Sequence, residues 1–193
     1  MSYAEHRKII DADSHVIELE DFLISAAKEE DKKIIPSMSS QKVLPVVEAG
    51  LERGKELFKK RQENPEVMAK FEEAIFDNTK SGWNRIGAFD PSERSHAMDM
   101  FGYSFQWILP TFSFHQIAHS QDSEVLEVGS KTLNRAMAQF CSSDERLKAI
   151  GYVPLQLGPT KSLEIMKQGF DEGCYSFMID TNEPNDENIS FTH

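Results

Sequence analysis

From residue 90 onward, short β-branched or aromatic runs alternate with segments of helical period, and this alternation restricts the fold more than any other feature. Asp90-Pro91 reads as an N-cap followed by the first residue of a helix that runs to about Phe101 and stops at Gly102. A strand is expected over 103–109. Asp122 caps a second helix over 123–141, in which Val125, Val128, Leu133, Met137 and Phe140 recur near a 3.6-residue period. A strand at 147–153 follows, then a helix opened by Pro159 and closed by Gly169 and Gly173, then a strand at 175–179. An earlier β-branched run, Lys-Ile-Ile-Asp-Ala at 8–12, supplies the first strand. Four strands joined by three helical connections imply parallel βα units.

Between about 20 and 80 the chain is rich in Lys, Glu, Ala and Leu and is broken by Pro36, Pro45 and Pro65. Helical pieces are expected at 46–62 and 65–76. No Gly/Ser linker separates this stretch from its flanks, so residues 1–193 read as one domain with a helical insertion after the first strand. A net charge of −11 opposes binding to phosphate backbones, and no nucleic-acid partner is expected. The basic cluster Lys55, Lys59, Lys60 and Arg61 lies among Glu52, Glu56 and Glu63 at helical spacing, as on a solvated helix face. The apolar runs are too short to span a bilayer and the first eight residues are charged, which points to a cytoplasmic protein without a membrane partner. Cys141 and Cys174 belong to no CxxC pair and read as reduced, partly buried thiols.

Parallel strands gather their C-terminal ends on one face, where the active sites of such folds form. The polar residues there are Asp13 and His15 after the first strand, Thr111 and His115 after the second, Gln156 after the third, and Asp180, Thr181 and Asn182 after the fourth. Asp11, Asp13 and His15 alternate as the first strand runs out, so their side chains are expected to share a face and converge. Two carboxylates and an imidazole suit a divalent ion, Zn²⁺ first and Mn²⁺ second. Taken alone, the same pattern fits a polar strand end with an Asp cap and a surface His. His115 and His119 have the i, i+4 spacing of a helical metal pair, but Gln116 stands where a zinc protease needs Glu. Phe105, Trp107, Phe112 and Phe114 read as core and loop packing, with Phe112 and Phe114 also placed to line an aromatic pocket. His6 and His96 read as exposed.

Ile9-Ile10-Asp11-Ala12-Asp13-Ser14-His15 resembles the first metal-ligand strand of the amidohydrolase-related family that includes aminocarboxymuconate-semialdehyde decarboxylase and γ-resorcylate decarboxylase. Further matches follow in that family's order. They are Asp90-Pro91 with Arg94, Met98-Asp99, Gly102, Leu109-Pro110-Thr111, Asn134, Phe140-Cys141, Arg146-Leu147-Lys148, Val153-Pro154-Leu155-Gln156, Gly169-Phe170 and Gly173. The resemblance implies an α/β fold, the N-terminal half of a (β/α)8 TIM barrel, with Asp13 and His15 as metal ligands and Asp11 as a further acidic position. His115 and Asp180 are candidate substrate contacts. The family's other ligands, a His on a middle strand and an Asp near the end of the barrel, have no counterpart in residues 1–193, and His193 aligns with a loop.

The activity implied is metal-dependent hydrolysis, or non-oxidative decarboxylation, of a small carboxylated cyclic substrate by a complete enzyme that is a homo-oligomer. Two other readings stay open: an α/β scaffold without metal, and a half-barrel that dimerises to complete the fold. Under the family reading, all four strand ends share one face, and Asp13 and His15 point toward the barrel axis. His15 is expected to be oriented by a carboxylate such as Glu18 or Asp11. The 193 residues alone are expected to be silent and prone to association through the edges of the first and fourth strands.

Overall fold

The structure is a computed structural model and describes residues 6–37, 45–75 and 86–179. Four strands, β1 (Ile9–His15), β2 (Tyr103–Leu109), β3 (Leu147–Val153) and β4 (Ser176–Ile179), form one curled sheet in the order β1-β2-β3-β4. Every neighbouring pair is parallel. The fold is therefore mixed α/β, and all four C-terminal strand ends lie at one edge of the sheet, as the alternating pattern requires. β1 is longer than the apolar run suggested, because Ser14 and His15 are still paired with β2.

The helices are α1 (Phe22–Ala26), α2 (Pro45–Glu63), α3 (Pro65–Ile75), α4 (Pro91–Phe101), α5 (Phe112–Ala118), α6 (Ser123–Cys141) and α7 (Pro159–Glu172). Their ends follow local chemistry. Asp90 accepts from Glu93 N ahead of Pro91, Asp122 accepts from the backbone N–H groups of Glu124 and Val125, and Gly102 closes α4 with a left-handed φ of 70°. Gly173 closes α7; Gly169, expected as a stop, lies inside the helix, where the adjoining Phe177 ring leaves no room for a Cβ.

Burial divides the sheet into two faces. Val16, Ile108, Leu147 and Ala149 pack against Leu133, Met137 and Phe140 of α6, Leu23 of α1 and Ile117 of α5 to form the main core. A smaller cluster joins Ile17, Ala88 and Phe89 to Leu51 and Phe58 of α2. On the other face, Trp107 and Lys148 are register partners; Trp107, expected in the core, is 37% exposed. Tyr175 packs beside both, its ring centroid 6.5 Å from that of Trp107 and 5.6 Å from Lys148 Nζ. Trp107 is exposed and Lys148 half-buried on this face, which we call the open face.

The insertion is tied to the rest by charge as well as packing. Arg61 was expected on a solvated helix face, yet its side chain is 1% exposed and donates from Nε to Glu93 Oε1 at 2.8 Å. Its guanidinium carbon also lies 4.4 Å from the Phe71 ring centroid. Spacing among like residues marks a helix face but does not say what that face meets, and here α4 supplies a buried partner. Among the described residues no helix is long and apolar enough to cross a membrane. Cys141 and Cys174 are free and buried, and burial pushes both thiols up to about 12.

Asn134 links α6 to β3. Its Nδ2 donates to Tyr152 O at 3.1 Å and its Oδ1 accepts from Tyr152 N at 2.6 Å, all within the core. Asn134→Ala removes the partner of both backbone groups and is expected to cost about 2–3 kcal/mol. A shifted urea midpoint at unchanged slope measures this; a loss below about 0.5 kcal/mol would contradict it.

Candidate functional site

Asp11, Asp13 and His15 do not simply alternate. Along β1 the register advances three residues, Asp11 to Ser14, while β2 advances two, Gln106 to Ile108, so an irregularity of the bulge kind lies between them. Asp11 and Ser14 consequently share the face of Gln106 and Ile108, whereas Asp13 and His15 fall on the open face with Trp107. The expected three-residue convergence becomes a pair plus an outlier.

The outlier is held from the core side. Asp11 Oδ2 accepts from Gln106 Nε2 at 3.0 Å, and Asp11 Oδ1 accepts from Asp13 N at 3.2 Å across the irregularity. Gln106 is 6% exposed, and its Oε1 has no hydrogen-bond partner among the described residues. The pair is open to solvent. The side chains of His15 and Asp13 are 45% and 87% exposed, and His15 Nε2 lies 3.4 Å from Asp13 Oδ1.

The ring of His15 is oriented by a hydroxyl, not by the carboxylate that was expected. His15 Nδ1 lies 3.0 Å from Thr111 Oγ1, and that hydroxyl donates its single proton to Val16 O at 2.7 Å. Thr111 Oγ1 must therefore accept from His15 Nδ1–H. In the neutral ring this leaves Nε2, on the side of Asp13, as a bare lone pair.

Glu18 acts one link further back. It is 3% exposed, and its carboxylate accepts from the backbone N–H groups of Thr111 at 2.8 Å, Phe112 at 3.0 Å and Ser113 at 3.2 Å, and from the Ser113 hydroxyl. These are the unsatisfied donors at the start of α5, and a carboxylate is their natural acceptor. Glu18 thus positions Thr111, and Thr111 positions His15.

A second anchor comes from α4. Arg94 is 6% exposed and donates to Gly87 O at 2.6 Å, to Ser14 Oγ at 2.7 Å and to His15 O at 2.6 Å. Burial pulls its guanidinium down to about 10, opposed by the negative charge of Asp11, so it stays cationic at neutral pH. Gly87 is required beside it: φ is +74°, and a Cβ there would stand 2.5 Å from Arg94 Cα.

Of the other candidates, His115 lies exposed on α5, where its ring stacks on His119. Phe114 packs edge-on against buried Tyr152, and Phe112 joins the smaller cluster. His96 pairs with Glu72 at 2.7 Å. Asp180, Thr181, Asn182 and His193 lie outside the described residues. Gln106 and the anchoring role of Arg94 escaped the reading of sequence alone. Their signals were a glutamine set among the apolar residues Phe105, Trp107 and Ile108 and an arginine on the inward side of a capped helix.

Among the described residues no group of three or more His, Cys, Asp or Glu side chains is arranged to hold a metal ion; Asp13 and His15 stand as two donors. No protein-family model matches the chain, and no curated protein matches it.

Proposed function

We propose that the chain forms the first four βα units of a (β/α)8 barrel enzyme in which Asp13 and His15 help hold a divalent ion, Zn²⁺ or Mn²⁺. The reaction is hydrolysis, or non-oxidative decarboxylation, of a small carboxylated cyclic substrate. One observation carries this reading: His15 Nε2 lies 3.4 Å from Asp13 Oδ1, while the bond to Thr111 assigns a proton to the other ring nitrogen, Nδ1. Two donors on one tetrahedral ion, at bond lengths of about 2.0–2.2 Å, stand about 3.3 Å apart. The donor pair therefore fits a zinc-like ion without rearrangement.

When bound, such an ion polarises a carboxylate or hydroxyl of the substrate, or makes water a nucleophile at neutral pH. The chain's own residues prepare the place. Thr111 holds the imidazole in the ligating tautomer, Arg94 fixes the backbone under it, and the high exposure of Asp13 leaves the approach from the open face clear. On that face Trp107, two residues before the end of β2, offers aromatic surface suited to a cyclic substrate. The remaining donors and the acid or base of the reaction would come from the second half of the barrel.

Asp13→Ala and His15→Ala in the complete barrel are each expected to weaken zinc retention by at least about tenfold and to abolish turnover. Elemental analysis after dialysis against a weak chelator reads the first effect directly. Wild-type metal content in both variants would sink the assignment and favour a metal-free scaffold.

A further inference from the structure

The i, i+4 histidines of α5 are not used by the strand site. Ser113, Ile117 and Ala118 bury one side of this helix, while His115 and the C-cap residue His119 are both exposed. Two of the other histidines, His15 and His96, each face a carboxylate. His115 and His119 face each other. Their rings are nearly parallel, 14° apart with centroids separated by 5.5 Å, and His115 Nδ1 lies 3.3 Å from His119 Nε2. Two ring nitrogens that close, each with an in-plane lone pair, repel unless a proton or a cation lies between them.

We propose that His115 Nδ1 and His119 Nε2 form a two-imidazole site for a divalent transition-metal ion, separate from the Asp13–His15 pair. Two nitrogens bound at about 2.0–2.1 Å to one tetrahedral ion stand about 3.3 Å apart, and cis positions of a square-planar ion bring them to about 2.9 Å. The separation of 3.3 Å matches the tetrahedral case in length, so Zn²⁺ fits better than Cu²⁺; with the centroids 5.5 Å apart the two lone pairs lie along one line, and each ring must turn by about 35° to aim at the ion. Imidazole is a donor suited to such ions. A proton shared between the two nitrogens moves to the far nitrogen of its own ring when the ion enters, so the site binds as two neutral imidazoles. Water fills the other coordination positions.

The backbone that presents the pair is already fixed. Glu18 binds the N–H groups of Thr111, Phe112 and Ser113 at the start of α5, Gln116 Nε2 donates to Ser37 O at 2.5 Å, and Phe114 packs on Tyr152. Little ordering is left to be done when an ion arrives, which favours binding even with two protein donors. The site does not depend on the barrel reading.

The test is a zinc sulfate titration followed by calorimetry and by imidazole ¹⁵N resonances, in the His15→Ala chain so that the strand pair cannot contribute. One ion is expected to bind, shifting His115 Nδ1 and His119 Nε2 together. His115→Ala and His119→Ala, each added to His15→Ala, are expected to weaken that event by at least tenfold. Because His119 caps α5, His119→Asn serves as a second variant that keeps a residue suited to a helix end but removes the imidazole, with the same loss expected. Uptake unchanged by His119→Asn, or zinc that leaves both imidazoles unmoved, would overturn the proposal and reduce the pair to an N–H···N hydrogen bond.

Discussion

Glu18→Ala is expected to destabilise the fold by about 3–5 kcal/mol, because three backbone N–H groups and a hydroxyl at the buried start of α5 lose their acceptor at once. Water cannot readily replace a carboxylate at a position 3% exposed. Glu18→Gln keeps one carbonyl oxygen but turns an NH₂ toward donors, so it should retain only part of the stability. The loss reaches the site through Thr111, whose backbone Glu18 holds and whose hydroxyl orients His15. Hydrogen exchange should show early opening of Thr111, Phe112 and Ser113 in Glu18→Ala, before the strands lose protection. A variant within about 1 kcal/mol of the parent, with α5 still protected, would mean that the helix start does not depend on this carboxylate.

Arg94 should be nearly as intolerant. Its guanidinium reaches Gly87 O through Nε, Ser14 Oγ through Nη1 and His15 O through Nη2, a span that no ammonium can cover. Arg94→Ala leaves two carbonyls and a hydroxyl without their donor and takes away the cation that acts on Asp11, for an expected cost of about 3–5 kcal/mol. Arg94→Lys should recover one or two of the three bonds and less than half of that cost. Because the bond to His15 O fixes the chain just where β1 ends, both variants should also broaden the His15 resonances while leaving those of β3 and β4 unchanged. Denaturant melts of the three proteins read the stabilities. Equal midpoints for Arg94→Lys and the parent would show that charge alone, without the fork geometry, anchors the strand.

Much of this architecture was legible because it is written in local chemistry. Asp90-Pro91, Gly102, Asp122 and Pro159 fix helix ends through backbone donors and left-handed geometry, which are properties of the residues themselves. The parallel order of four strands follows from the helical connections between them. What depends on a distant partner was not legible. The register irregularity after Asp11 shifts which side chains share a face, and a period-two reading has no means of detecting one extra residue in a ladder. Arg61 looks solvated until Glu93 is placed beside it. Glu18 and Thr111 are more than ninety residues apart in sequence, so the relay that sets the His15 tautomer exists only once β1 and β2 are paired. Asp13 and His15 stand out as candidates by type and spacing, but their 3.4 Å separation and the bond from His15 to Thr111 required the fold.

The central claim is that His15 presents Nε2, beside Asp13, to a divalent ion. It is tested most directly by long-range ¹H–¹⁵N correlation of the His15 ring before and after addition of zinc sulfate, with assignment by His15→Ala. The account predicts a proton on Nδ1, donated to Thr111, in the free protein, a zinc-dependent shift of Nε2 with Nδ1–H retained, and loss of that shift in Asp13→Ala. A ring protonated on Nε2, or a His15 spectrum that zinc leaves unchanged, would contradict it.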